Sequence, residues 1–287
     1  MKIRPLQTLI IGALLALSCS KEESFEKKRA DANDKGPLLV KMTMQYAGAS
    51  YTGVTTLAYD NNKKLTGIKN KFEGEVNEPY IEEESVYYRN SKGVIERLVT
   101  IGHIYDEDGN FVQKDSVVLN LYYNGGAQYT HGIRTSLNIV NEPVKDSIVY
   151  TYNDKERIAQ VKVLRKAPGS NGYADEQVTG YTYDEKGNVS TMTIRFADYG
   201  VLNPPQFINF QYNDKFSPID FGNEALLNGF IMDGLNSPHC LTGISDDTEP
   251  DNSWNMSYEY NDLNKPVKGV YSNPVTQEKI SYSFFYQ

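Results

Sequence analysis

From Leu38 to the C-terminus the apolar positions recur with a period of two, the pattern of strands that bury one face. The clearest unit is Glu176 to Phe196. Two runs of β-branched and aromatic residues flank Asp184-Glu185-Lys186-Gly187-Asn188. That arrangement predicts a strand, a type I turn closed by a left-handed residue, and a second strand. Gly187 supplies the positive φ, and the Asp184 carboxylate can bond back to the turn amides.

Imperfect copies of this hairpin fill the chain. Tight turns are predicted near Asn61 to Lys63, Ser91 to Gly93, Asn124 to Gly126, Asp154 to Glu156, Glu185 to Gly187 and Asp214 to Phe216. Their spacing of about 31 residues is the length of two strands and two connections. A second set falls between them: Glu73 to Pro79, Glu107 to Gly109, Asn141 to Pro143, Ala167 to Asp175 and Asp198 to Pro205. The two sets therefore belong at opposite ends of one up-and-down meander. Lys63, Glu156 and Phe216 stand where the repeat has glycine, and Asn264 does so in Asn261-Asp262-Leu263-Asn264. Either those turns differ in type or they carry strain.

One stretch breaks the period. Between 221 and 236, Leu226, Leu227, Phe230, Ile231 and Leu235 have helical spacing, with Asn223 as an N-cap and Gly234 near the end. We expect a short amphipathic helix there that plugs or caps one end of the sheet. Strands resume at Leu241 to Asp246, Ser253 to Tyr260, Pro266 to Ser272 and Lys279 to Tyr286. The total is about sixteen strands, an even number that lets the first and last pair antiparallel and removes both free edges. The expected fold is all-β: a large antiparallel meander closing into a barrel. A round section would enclose more space than side chains fill, so the barrel should be flattened, plugged by the 221–236 helix, or hold an apolar ligand.

The alternation also sets a polarity. Ile148, Tyr150, Tyr152; Ile208, Phe210, Tyr212; Trp254, Met256, Tyr258, Tyr260; and Ile280, Tyr282, Phe284, Tyr286 share faces that alternate with polar ones, as on a sheet packed over a core. A membrane-spanning strand needs about nine to eleven residues with an unbroken apolar lipid face. The mixed faces here fit an apolar interior and a wetted exterior, the reverse of a porin.

The N-terminus changes the picture of where such a barrel works. Lys2 and Arg4, the apolar stretch Leu6 to Leu17 and Ser18 form a signal peptide over residues 1–18. Ala16-Leu17-Ser18-Cys19 resembles a bacterial lipobox with Ala in place of the usual Leu at its first position, making Cys19 the acylated first residue of the mature chain. Residues 19–36 then comprise the lipidated cysteine and a charged, disordered tether, and 37–287 a single barrel domain. Ser20-Lys21-Glu22-Glu23 resembles the acidic tags that direct some Gram-negative lipoproteins to the cell surface. The expected site is the outer membrane, on its periplasmic or outer face, with membrane lipid as partner through the acyl chains. Net charge is -8, and losing Lys2 and Arg4 makes it -10, which argues against nucleic acid. Only Cys240 then remains besides Cys19, so no disulfide forms within the barrel.

Tyr-x-Tyr-Asp-x-x-Gly-Asn-Val at Tyr181 to Val189 resembles the tyrosine-aspartate repeat of secreted bacterial shell proteins, with looser copies at Tyr150 to Asn153 and Tyr258 to Asn261. Together with the lipobox, Asn213-Asp214-Lys215-Phe216-Ser217-Pro218 leading into a short helix, and a Tyr-rich closing hairpin, the chain resembles a family of Gram-negative lipoproteins of unknown function with a porin-like β-barrel fold. The resemblance implies a fold and no catalytic residues.

Chemistry is sparse. His103, His131 and His239 have no metal-ligand spacing, and neither a phosphate-cradling loop nor a serine elbow is present. The acidic loops Asp106 to Asn110 and Asp246 to Asn252 offer oxygen ligands but match no calcium motif, and Asp and Asn are what turns require anyway. Glu82-Glu83-Glu84 cannot face one ion from adjacent strand positions. No metal or cofactor is assigned. The expected function is non-catalytic, a binding or structural module for a glycan, lipid or protein. The aromatics Tyr181, Tyr183, Trp254, Tyr258 and Tyr260 are the candidates for ligand contact. The alternative is a membrane-embedded channel, with an unrecognised hydrolase third.

Overall fold

A computed structural model describes residues 37–47, 52–73, 80–124, 128–137, 143–166, 172–198, 200–219, 221–226 and 237–287. The signal segment, Cys19, the tether and residues 227–236 of the expected helix lie outside the described residues. The strands are β1 Leu39–Tyr46, β2 Thr52–Tyr59, β3 Leu65–Glu73, β4 Tyr80–Arg89, β5 Ile95–Tyr105, β6 Phe111–Tyr123, β7 Tyr129–Leu137, β8 Pro143–Tyr152, β9 Ile158–Arg165, β10 Ala174–Tyr183, β11 Val189–Asp198, β12 Val201–Leu202, β13 Gln206–Phe216, β14 His239–Asp246, β15 Trp254–Tyr260, β16 Pro266–Ser272 and β17 Lys279–Tyr286.

Chain neighbours pair antiparallel all the way round. β12 adds two residues to the end of β11 and stands outside the ring, so β11 passes to β13. Sixteen strands remain, and β1 closes the circle against β17, with Met42 opposite Phe284 and Met44 opposite Tyr282. Leu38 and Gln287 exchange both backbone hydrogen bonds at 2.9 Å, so no sheet edge is left where the meander begins and ends.

Where they are described, the two sets of turns lie at opposite ends; residues 74–79, 125–126, 141–142, 167–171 and 199 of the expected turns lie outside the described residues. At the turns beginning Asp60, Asn90, Asp106, Asn153, Asp184 and Asn261, the fourth residue is left-handed whether or not it is glycine: Lys63 at φ 60°, Gly93 at 75°, Gly109 at 77°, Glu156 at 58°, Gly187 at 87° and Asn264 at 57°. The turn type is therefore uniform, and Lys63 and Glu156 carry the strain that glycine relieves elsewhere. A shared side-chain bond holds the type: Asp60, Asn90, Asp106, Asn153 and Asn261 each accept, at Oδ1, the amides two and four residues on. One expected turn is not there. Tyr212-Asn213-Asp214-Lys215-Phe216 continues as β13, broken by a register shift between Tyr212 and Phe216. Asn213 Oδ1 accepts only the Lys215 amide, a local bond that bends the strand without reversing it.

At four places the tyrosine that ends a strand has its own task. Its hydroxyl reaches sideways to the start of the preceding strand: Tyr59 donates to Leu39 O (2.9 Å), Tyr183 to Ile158 O (2.7 Å) and Tyr286 to Pro266 O (2.8 Å), while Tyr152 accepts from Tyr129 N (2.8 Å). Where the repeat has Arg89, its guanidinium makes the equivalent bond to Leu65 O at 3.1 Å. The repeat is thus a ring of clasps joining successive hairpins at one end of the barrel, here called the turn end.

Register assigns the faces. Inward are Leu57, Ile68, Leu98, Leu119, Ile148, Val161, Tyr181, Met192, Phe210, Met256, Tyr271 and Phe284, all buried. Gly132 faces inward too, where an added Cβ would meet Leu119 at 2.8 Å and the Tyr150 hydroxyl at 3.3 Å. Outward stand ion pairs: Lys69–Glu84 near mid-strand (3.1 Å), Lys71–Glu82 toward the opposite end from the Asp60 turn (3.4 Å) and Lys268–Glu259 near the Asn261 turn (3.0 Å). The register thus places the buried apolar row inside and these ion pairs outside.

Candidate functional site

The two ends of the barrel differ. At the turn end the chain after β13 folds into the section, with Ile219 and Ser217 buried, and forms a 3-10 turn over Gly222–Leu226. This is the described part of the expected helix, and it plugs. Glu224 takes two hydrogen bonds from Arg89 on β4, at 2.7 and 2.8 Å, and Asn223 accepts Ile158 N (3.1 Å) and donates to Glu156 O (3.0 Å) at β9. The Arg89 side chain is 9% exposed. Burial alone would discourage its charge, but the Glu224 hydrogen bond and charge outweigh it and raise its pKa. Tyr87 beside them is pushed up to about 12 by burial and by the Glu224 charge.

Toward the other end the barrel interior is wet. Thr55, Glu83, Ser85, Thr100 and Asp115 face inward by register with Asn70, Ile68 and Gly102, yet remain half-exposed. Solvent therefore reaches this part of the interior, the lumen toward the loop end, next to the packed half. Glu83 and Asp115 flank Gly102 in one cross-strand row, and an added Cβ on Gly102 would find nothing closer than Asp115 Cβ at 4.0 Å. Asn70 Nδ2 donates to Glu83 (3.4 Å), Gln113 Nε2 to Asp115 (2.7 Å), and Ser85 pairs with Thr100 (2.8 Å). The far wall is different. β14 stands eight places round the ring of sixteen from β5, and there Ile244 and, on neighbouring β15, Trp254 face inward, partly buried against the core, while Met44 and Tyr46 do so on β1, four places from both β5 and β14. Between the walls, Asp146 is 1% exposed and holds Arg134 (2.6 Å) and Arg165 (3.0 Å), and Arg165 also pairs with Glu176. The rim carries exposed apolar side chains, Ile81, Phe111, Val112, Phe196, Val201 and Phe207, from 42% to 71% exposed.

Of the aromatics singled out in the sequence, Trp254 lies in this lumen. Tyr181 is buried at 5% exposure beneath it, and its hydroxyl has no partner among the described residues. Tyr183 is a clasp with the Arg157 guanidinium 4.9 Å from its ring centre. Tyr258 packs among Tyr260, Tyr271 and Phe284. The Tyr260 hydroxyl accepts Asn213 Nδ2 at 2.7 Å. Four of the five are thus wall and floor, and only Trp254 reaches the wet half. Cys19 lies outside the described residues. Sequence reasoning missed Glu83, Asp115, Asn70 and Gln113, because an inward polar residue and an outward one look alike in an alternating strand until register is known.

The acidic loops use their carboxylates on themselves. Asp106 accepts Asp108 N, Asn110 N and Asn110 Nδ2. Asp246, 4% exposed, accepts Thr248 N, Glu249 N and Gln206 Nε2. Burial pushes Asp246 up, but those bonds together outweigh it and hold its carboxyl below the ordinary value. Cys240 is fully buried, donates to Phe216 O, and is pushed up to about 11 by burial, which suppresses the thiolate. Among the described residues no group of three or more His, Cys, Asp or Glu is placed to hold a metal ion.

These features define a closed sixteen-stranded antiparallel barrel whose turn end is held by the Arg89–Glu224 pair. The same fold is found in two solved structures. A porin-like protein from Bacteroides uniformis superposes with a TM-score of 0.53 at 12% identity, covering 87% of this chain and 98% of that one. A porin-like protein from Bacteroides vulgatus does so with a TM-score of 0.50 at 13% identity, covering 88% and 99%. At these identities the likeness is one of fold. No family model matches the chain, nor does any curated protein.

Proposed function

We propose that this chain is a non-catalytic lipoprotein of the outer membrane, held through acyl chains on Cys19, whose barrel stands in water and binds a ligand in its open half. The polarity of the wall carries the reading. In a spanning barrel each Lys near the midplane of the lipid face costs roughly 2 to 4 kcal/mol, and here Lys69, at mid-strand, and Lys71 stand outward on β3 and Lys268 on β16, each with a carboxylate partner. The lumen is the complementary feature, a half-wet interior closed below by the Arg89–Glu224 plug. The Tyr-Asp hairpins fit the tyrosine-aspartate repeat, with the tyrosine as clasp. A channel is the second reading, favoured by closure at sixteen strands and by the porin-like fold. The deciding experiment is purification of residues 37–287, which contain both partners of the β1–β17 closure. A folded, β-rich monomer without detergent is expected. Protein that stays folded only in micelles and conducts ions across a planar bilayer would establish the channel instead. In the full chain, Cys19→Ala should abolish labelling by a fatty-acid analogue and release the protein from membranes.

A further inference from the structure

The lumen has more chemical definition than a generic cavity, enough to give its ligand a class. Resting on the reading of the barrel as a ligand-binding module in water, we propose that its open half is a sugar-binding site that takes a neutral oligosaccharide edge-on between two unlike walls.

The first wall is the row on β3 to β6. It offers donors and acceptors in alternation: the amides of Asn70 and Gln113, the hydroxyls of Ser85 and Thr100, and the carboxylates of Glu83 and Asp115. A sugar hydroxyl both donates and accepts, so it can bond a carboxylate and a neighbouring amide at once. Gly102, between the two carboxylates, removes the side chain that would otherwise fill the row. The second wall, on β14 and β15 across the ring, offers Trp254 and Ile244. An aromatic face receives the C–H face of a pyranose, as it receives any flat apolar surface with a polar edge.

Other ligand classes fit less well. Phosphates and anionic lipids meet Glu83 and Asp115, while Arg134 and Arg165 are already held by Asp146. A purely apolar chain would strip water from six polar groups without replacing their bonds. A basic peptide matches the carboxylates but leaves the donors of Asn70, Gln113 and Ser85 facing more donors.

Trp254 is the only tryptophan in the chain, so its emission reports directly on the lumen. Residues 37–287 would be titrated with maltohexaose, cellohexaose, xylohexaose and chitohexaose up to about 10 mM, beyond the weak end of specific affinity. A saturable change with at least one sugar is expected. Glu83→Gln and Asp115→Asn should each weaken it about tenfold, and Glu84→Gln, one residue away but outward, should leave it unchanged. Trp254→Ala, followed by calorimetry, should lose binding while keeping the β-rich spectrum. Silence from all four sugars overturns the proposal. So does a response to hexalysine or dodecanoate without one to sugar, or a sugar response that survives both lumen substitutions. A detergent-free monomer that ignores every sugar would end this inference and leave the soluble-barrel reading standing, whereas bilayer conductance would end both.

Discussion

Arg89 and Glu224 are 135 positions apart in the chain and form a two-pronged ion pair at 2.7 and 2.8 Å that fastens the 3-10 turn across the barrel's turn end. Arg89 also bonds Leu65 O and Gly93 O. One side chain therefore completes the ring of clasps and holds the plug.

Breaking this pair should destabilise the barrel chiefly through the charge left behind. The Arg89 side chain is nine-tenths buried while Glu224 is 32% exposed. Removing the carboxylate strands a buried cation, and solvent at Glu224 softens the loss to about 1 to 3 kcal/mol. Arg89→Met with Glu224→Ala should cost less than the two single changes together. Urea melts of the four proteins test this, and strict additivity would mean the pair does not act as a unit.

The hairpin of β10 and β11 offers a second contrast, between two tyrosines on one face. The Tyr183 hydroxyl donates to Ile158 O, so Tyr183→Phe leaves a carbonyl without its partner and should cost about 0.5 to 1.5 kcal/mol. The Tyr181 hydroxyl is buried with no partner among the described residues. Tyr181→Phe removes a desolvated polar group and should be neutral or stabilising by up to about 1 kcal/mol. Thermal melts that rank the two the other way would show the clasp to be incidental.

Much of the fold is legible in the sequence because the hairpin repeats its physics. Period-two alternation sets the strands, Asp or Asn with a left-handed fourth residue sets the turns, and an even count sets closure. Legibility fails where a motif is present without its geometry. Asn213-Asp214-Lys215-Phe216 has the leading side chain of the repeat, but Phe216 is part of a strand paired with His239. The two-residue β12 is too short to carry any period. Glu82, Glu83 and Glu84 illustrate the limit for the site: the outer two pair with Lys71 and Lys69, the middle one lines the lumen, and composition alone cannot separate them.

The uniform turn geometry gives a prediction with opposite signs at equivalent positions. Gly187 at φ 87° tolerates a conformation closed to β-branched residues, so Gly187→Val should cost on the order of 1 to 3 kcal/mol. Glu156 at φ 58° holds the same place with a side chain that disfavours it, and Glu156→Gly should stabilise by about 0.5 to 1 kcal/mol, with backbone freedom gained in the unfolded chain limiting the benefit. Denaturant midpoints of the two variants should move in opposite directions. A fall in both would mean that the Glu156 side chain contributes more than its backbone costs.

Acid should loosen the loop end first, through Asp246. Its carboxylate is buried yet held below the ordinary value, because the amides of Thr248 and Glu249 and the side chain of Gln206 outweigh the cost of burying the charge. A carboxyl whose folded pKa is depressed binds its proton more readily in the unfolded chain. Its contribution is therefore complete above the unfolded value of about 3.9 and disappears as pH falls below that through the folded value. Asp246→Asn keeps an oxygen for the two amides but removes the charge, so the difference between wild type and variant should be on the order of 1 kcal/mol at neutral pH and shrink below about pH 4. Urea melts of both proteins at a series of pH values measure that difference directly. A gap that stays constant from neutral pH to about pH 2 would show that the ionised carboxylate contributes nothing beyond the shape of its side chain.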